Sequence, residues 1–169
     1  MPSSTSHGKH IVKEWFDKRS DIVTVLDVGC GQGTYPKLLG VDRYKWTGLD
    51  IFYPYKERFN LESIYKSVRI ADCSIVSMEF YNLFDCVIFG DVLEHIRLIE
   101  GIRLLHQVLA LGKHLVLSIP LSDSEPYEGA EHFGNPFEKH ISYWTFGDVA
   151  SFYPWEVAEV EKQIGVFIK

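Results

Sequence analysis

The stretch Val25-Leu26-Asp27-Val28-Gly29-Cys30-Gly31-Gln32-Gly33-Thr34-Tyr35 decides the fold. Residues 22–28 are a short apolar, β-branched run that stops at glycines, the pattern of a strand buried on both faces. Glycines there let the backbone turn sharply and let a ligand come close. Residues 34–39 then predict a short helix. The glycine spacing is G-x-G-x-G, not the dinucleotide pattern G-x-G-x-x-G. Asp27 adds a sign: a carboxylate beside the turn stabilises an ammonium and repels a diphosphate. The bland alternative is that Asp27 only ties the backbone of the turn.

Outward from this turn the same alternation repeats. Upstream, Ile11, Val12, Trp15 and Phe16 recur at helical spacing, so residues 1–20 predict an amphipathic helix after a polar start. Downstream, residues 45–49 read as a second strand, 55–66 as a charged helix and 67–71 as a third strand followed by a turn-helix. Residues 84–89 read as a fourth strand, 91–111 as a long helix and 114–119 as a fifth strand closed by Pro120. Strands alternating with helices imply an α/β, doubly wound, mostly parallel sheet with helices on both faces. Residues 121–144 show no period and read as one long loop; a loop this long in a compact domain is usually functional. Thr145 predicts the N-cap of a helix over 145–152. Residues 155–160 and 164–168 are two apolar segments too close for a parallel return, so they predict an antiparallel C-terminal hairpin.

A length of 169 residues fits a single domain over 1–169. Hydrophobic residues make up 46% and charged residues 24%, which excludes disordered and fibrous classes. A net charge of −6 argues against general nucleic-acid affinity, which needs a basic surface. Cys30, Cys73 and Cys86 are odd in number and lack CxxC spacing, against a disulfide framework or structural zinc. The start lacks an apolar signal core and no apolar run approaches the roughly 20 residues of a membrane span. The expected setting is therefore soluble and cytoplasmic, with no membrane partner. Oligomeric state is not legible.

Further strand ends repeat the theme of the first. Asp50 ends the second strand in GLDIF, where a carboxylate can accept both hydroxyls of a ribose. Asp72-Cys73 ends the third strand and Phe89-Gly90-Asp91 the fourth. Four successive strand ends thus put an acid or a glycine on one edge of the sheet, where ligands of open α/β sheets bind.

With these residues in hand, the chain resembles the class I S-adenosylmethionine-dependent methyltransferases, with a Rossmann-like fold. VLDVGCGQGTYPKLL (25–39) is similar to the first family motif, GLDIF (48–52) to the ribose-binding acid and ADCSI (71–75) to the adenine-contacting segment. FDCVIFGDVLEHI (84–96) is similar to the fourth motif, and HLVLSIP (114–120) to the fifth strand. The resemblance implies seven strands in the order 3-2-1-4-5-7-6 and S-adenosylmethionine as cofactor. It implies that Asp27, Gly29, Cys30, Gly31 and Gly33 hold the methionine moiety. Asp50 would bind the ribose, Ile51 would pack on adenine, and Asp72 with Cys73 would bind its amino edge. Gly90 and Asp91 would lie near the methionine ammonium. Cys30 reads as a small turn residue, not a nucleophile.

The acceptor side is less specific. Asp91, Glu94 and His95 stand at the start of the expected long helix, where spacings of three and four put them on adjoining faces. With His140 downstream, they resemble metal-assisted O-methyltransferases acting on catechols or RNA 2′-hydroxyls. A metal held by Asp91, Glu94, His95 and His140 is the minority expectation; the bland reading is a capping acid plus a His hydrogen-bonded near the cofactor carboxylate, and an intermediate reading makes His95 or His140 a general base, a role that the ordinary pKa of a histidine suits. Asp123, Glu125, Glu128 and Glu131 would disfavour a polyanion at the mouth. Tyr127, Phe133, Phe137, Tyr143 and Trp144 would line an apolar pocket or anchor the loop, and His132, Asn135 and Pro136 belong to the same stretch. Arg97 and Arg103 would face solvent. The leading expectation is methyl transfer to O or N of a small-molecule or partner-presented acceptor. The alternative is a non-catalytic S-adenosylmethionine-binding module that senses or activates for a partner. A nicotinamide-dependent oxidoreductase disagrees with Asp27 and the glycine spacing.

Overall fold

In a computed structural model that describes residues 6–122 and 134–169, seven strands form one sheet. They are β1 Thr24–Val28, β2 Lys45–Asp50, β3 Ser67–Ile70, β4 Cys86–Gly90, β5 His114–Pro120, β6 Val157–Glu161 and β7 Ile164–Ile168. Their order is β3-β2-β1-β4-β5-β7-β6. β1 to β5 pair in parallel, and β7 runs antiparallel to both β5 and β6. The hairpin turns through Lys162-Gln163 with Lys162 at φ 56, the left-handed geometry that a two-residue connection requires. The edge strand β6 carries Glu159 and Glu161, charges that discourage further pairing.

Six helices cover the sheet: α1 Lys9–Asp17, α2 Thr34–Leu39, α3 Pro54–Arg58, α4 Met78–Tyr81, α5 Leu98–Ala110 and α6 Phe146–Ser151. Side chains alternate across each strand, so two cores form. Leu26 and Val28 enter one with Val87, Phe89 and the α5 residues Leu104, Leu105 and Val108. Val25 enters the other with Cys86, Ile88 and the α1 residues Val12, Trp15 and Phe16. Each fully buried residue of this size contributes about 1.5–3 kcal/mol, so the central strands anchor the glycine turn that follows β1. Thr145 caps α6 in a capping box with Asp148, as its position in the sequence predicts.

Three expectations need correction. The helix expected over 55–66 is broken: α3 ends at Arg58, Asn60 takes the left-handed φ of 48, and Leu61–Ser63 form a separate 3-10 turn. The helix expected over 91–111 begins only at Leu98. Asp91 sits at φ 58, and Leu93–His95 form a 3-10 turn. The Glu94 carbonyl, which a continuous helix would use internally, accepts instead from Ile141 N at 2.8 Å and Ser142 N at 3.1 Å. The stretch over 121–144 is also more built than a bare loop. Leu121 bridges Trp144, and Pro136–Glu138 form a 3-10 turn capped by the Asn135 side chain. Trp144 is fully buried, so it anchors this segment and lines no acceptor pocket. Asp123, Glu125, Tyr127, Glu128, Glu131, His132 and Phe133 lie outside the described residues. Among the described residues, no helix is long and apolar enough to cross a membrane.

Candidate active site

The C-terminal ends of β1, β2 and β4 open onto a cavity of about 650 Å³, within the 300–1,000 Å³ range of small-molecule sites. Of the residues expected to hold a cofactor, all but Gly33 line it. Gly33 turns at φ 76 and stands back from the wall, where an added Cβ would meet Ile64 at 3.0 Å. Its role is to start α2. Gly29 and Gly31 turn at φ 64 and 47, a conformation that glycine adopts without penalty. A Cβ on Gly29 would strike Val92 at 2.5 Å, whereas one on Gly31 would meet only the Gly29 carbonyl at 3.7 Å. Gly31 therefore leaves open space for a ligand to approach the backbone. Gly90 is glycine for another reason: the Tyr35 ring occupies the place of its side chain, 2.2 Å from an ideal Cβ. Cys30 is buried with its Sγ against Gly48, and burial pushes its thiol up, as a turn residue and not a nucleophile requires.

The acids are held in defined positions. Asp50 Oδ2 accepts from Gly31 N and Oδ1 from Phe52 N, both at 2.9 Å, so the carboxylate joins the glycine turn to the end of β2. Burial raises its pKa, and the two amides partly offset this. Asp27 is 2% exposed, and Tyr65 donates its hydroxyl to Asp27 Oδ2 at 2.6 Å. Burial lifts the Asp27 carboxyl to about 7, against the opposing pull of Tyr65 and of the Lys9 ammonium. Asp72 Oδ1 accepts from the Ser74 amide and hydroxyl at 2.8 Å. Burial pushes the Cys73 thiol up to about 12, and its carbonyl accepts from Tyr81. Ile51 is 37% exposed at the rim.

The other end of the cavity carries Glu94, His95 and His140. The two imidazoles meet edge to face with centroids 4.9 Å apart. His95 Nδ1 lies 3.2 Å from the Lys139 carbonyl, and Nε2 lies 3.9 Å from Glu94 Oε1. A carbonyl can only accept, so Nδ1 carries a proton in this contact, and in the neutral imidazole the lone pair then lies on Nε2. Glu94 is buried, and burial followed by the nearby Asp91 drives its pKa well up. One potential ligand atom from each of Glu94, His95 and His140 lies within 4.8 Å of the others. Asp91 stands outside that group, and Lys9 Nζ approaches its Oδ2 at 3.7 Å instead. Arg97 is exposed at the rim and pairs with Glu100.

The sequence did not point to Lys9, Tyr35, Tyr55, Tyr65 or Glu138. Tyr55 donates to Glu138 at 2.7 Å, which also accepts from Asn135 Nδ2 at 3.1 Å, fastening the segment after β5 to α3 across the cavity. The NPFE string at 135–138, with its cap-like Asn135, was the one local signal for that fastening.

A nucleoside carrying a sulfonium and an amino acid fits these walls. Acids flank the turn, Gly31 leaves backbone open, and Asp91 Oδ2 is buried without a hydrogen-bond donor among the described residues. Known structures share the fold. The N-terminal domain of EvdMO1, crystallised in the presence of S-adenosylhomocysteine and D-fucose, superposes with a TM-score of 0.66 at 14% identity over 98% of this chain and 82% of its own. The 1,6-didemethyltoxoflavin-N1-methyltransferase of Burkholderia thailandensis, bound to 1,6-didemethyltoxoflavin and S-adenosylhomocysteine, gives 0.68 at 14% identity over 99% and 76%. The PH0226 protein of Pyrococcus horikoshii gives 0.65 at 18% identity over 95% and 85%. No curated protein matches by sequence. A family model described as a methyltransferase domain matches residues 8–151, and on that match the chain belongs to the S-adenosylmethionine-dependent methyltransferases of class I.

Proposed function

We propose that this methyltransferase transfers the methyl group to an oxygen or nitrogen of a small molecule and that His95 Nε2 receives the acceptor proton. The observation that carries this is the His95–His140 pair at the far end of the same cavity whose near end holds the glycine turn, Asp27 and Asp50. The cofactor supplies an activated methyl on a sulfonium. Asp27, Gly31 and Asp50 would hold its amino-acid and ribose parts, and Ile51, Asp72 and Cys73 its base. Since the methyl is already activated, the protein mainly aligns the nucleophile, and alignment is worth up to about 7–11 kcal/mol in well-oriented reactions. A positioned base adds typically 10²–10⁴-fold. Neighbours of known structure support a small acceptor: the 1,6-didemethyltoxoflavin-N1-methyltransferase was crystallised with bound 1,6-didemethyltoxoflavin and EvdMO1 in the presence of D-fucose.

The test is mass spectrometry of the chain with S-adenosylmethionine and a panel of small alcohols, phenols and amines. A methylated product together with S-adenosylhomocysteine is expected. Normal cofactor affinity with no product on any acceptor, and a copurifying protein, would move the assignment to a binding module. The Glu94–His95–His140 spacing supports a second reading, a divalent ion that lowers the acceptor pKa. Turnover abolished by chelator and restored by a divalent ion would replace the base with that metal.

A further inference from the structure

Lys9 is the only buried lysine or arginine among the described residues. It opens α1, and that helix end is pressed onto the β6–β7 hairpin: Gly8 N donates to Glu161 Oε2 at 2.5 Å, and a Cβ on Gly8 would strike Val166 at 2.5 Å. From there the Lys9 side chain reaches Tyr35 and Asp91, both of which line the cavity. Nζ donates to the Tyr35 hydroxyl at 2.9 Å and lies 3.7 Å from Asp91 Oδ2. Burying an ammonium costs several kcal/mol unless charges nearby compensate. Here burial works against the charge, yet Tyr35, Asp91 and Asp27 outweigh it and raise the Lys9 pKa. The relation is reciprocal, since the same ammonium favours the ionised forms of Asp27 and Glu94. Asp91 depends on it most. Its backbone is held at φ 58, its Oδ1 receives only a long contact of 3.3 Å from Ser118, and its Oδ2 has no donor among the described residues.

We propose that Lys9 is a positioning residue for the methionine end of the cofactor, a fixed internal cation that, together with Tyr35, orients the Asp91 carboxylate at the cavity wall. Lys9 does not itself line the wall, so it acts through Asp91 and Tyr35, which do. Without it, Asp91 Oδ2 loses the cation beside it, has no hydrogen-bond donor among the described residues, and turns away from its place at the wall. A ligand that presents an ammonium to Asp91 loses affinity; a ligand without one does not. The proposal rests on the assignment of the methionine moiety to the Asp27 end.

The experiment compares S-adenosylhomocysteine with 5′-methylthioadenosine; both carry the purine, the ribose and an uncharged thioether sulfur, and only the first carries the amino acid. Both are titrated by calorimetry into the wild-type chain and into Lys9→Met and Lys9→Arg. Lys9→Met should weaken S-adenosylhomocysteine at least tenfold and 5′-methylthioadenosine less than twofold, and Lys9→Arg should restore most of the loss. A Lys9→Met chain that binds both ligands as the wild type does, or loses both equally, overturns the proposal. If Lys9→Met does not fold, Tyr35→Phe, which removes the oxygen that Lys9 donates to, decides by the same selectivity. A wild-type chain that binds the two ligands equally tightly would instead overturn the methionine-end assignment, and Lys9 with it.

Discussion

At the near end of the cavity the polar groups belong to strand ends and to residues directly beside them: Asp27 precedes the glycine turn, and Asp50 caps both Gly31 and Phe52. At the far end they come from segments well apart in the chain. His95 meets the Lys139 carbonyl across 44 residues, and the Glu94 carbonyl accepts from the Ile141 and Ser142 amides. The near end is set by neighbouring parallel strands, so it is shared with many proteins of this fold. The far end is set by how the segment after β5 folds back over the Glu94 turn, so it is free to differ between acceptors. On the proposed roles, cofactor binding and acceptor choice would thereby be separated within one cavity.

The largest expected effect tests the near end. Asp50→Ala leaves the Gly31 and Phe52 amides without their acceptor, each worth about 1–3 kcal/mol when buried, and removes the proposed ribose partner. S-adenosylmethionine binding should vanish in calorimetry, and micromolar affinity retained would break the assignment of this end. The next effect falls on the far end alone. His95→Ala should lower turnover by about 10²-fold or more with cofactor affinity unchanged, measured as kcat against Kd. His140→Ala, which removes the ring packed against His95, should lower it less. A matched loss of cofactor affinity in either variant would erase the separation.

A pH titration sharpens the contrast. Asp27 has a carboxyl lifted to about 7 in the folded chain, against about 3.9 when unfolded. From pH ~4 to ~7 the unfolded chain gives up this proton first, so Asp27 lowers stability as pH rises through that window. Asp27→Asn should flatten that fall in urea melts. A cationic cofactor prefers the ionised form, so its affinity should rise from pH ~5.5 to ~7, by at most about tenfold per unit. Asp27→Asn should remove that rise too. The smallest effect concerns the fastening across the cavity. Tyr55→Phe breaks the bond to Glu138 at a cost of about 1 kcal/mol, more where Glu138 is charged. It should speed cofactor release severalfold in stopped-flow with kcat nearly unchanged.

Some boundaries were legible because the determining contacts are local. The capping box at Thr145 and the hairpin from 157 to 168 lie within a few residues of their signals. The long helix expected from residue 91 failed for the opposite reason: its periodicity was real, but backbone amides of Ile141 and Ser142 claim the Glu94 carbonyl. No window of sequence around Glu94 contains those donors.

From its sequence alone the chain determined an α/β sheet of seven strands, the glycine turn after the first and the acids at the strand ends, because continuous apolar runs and turn chemistry act between near neighbours. Tertiary structure alone decided that Lys9 lies beneath the acids, that Tyr65 donates to Asp27, and that His95 and His140 share one end of the cavity. Those arrangements depend on the charge and shape of surfaces brought together only when the layers pack. A buried lysine in particular is stable only where folding has already gathered its counter-charges.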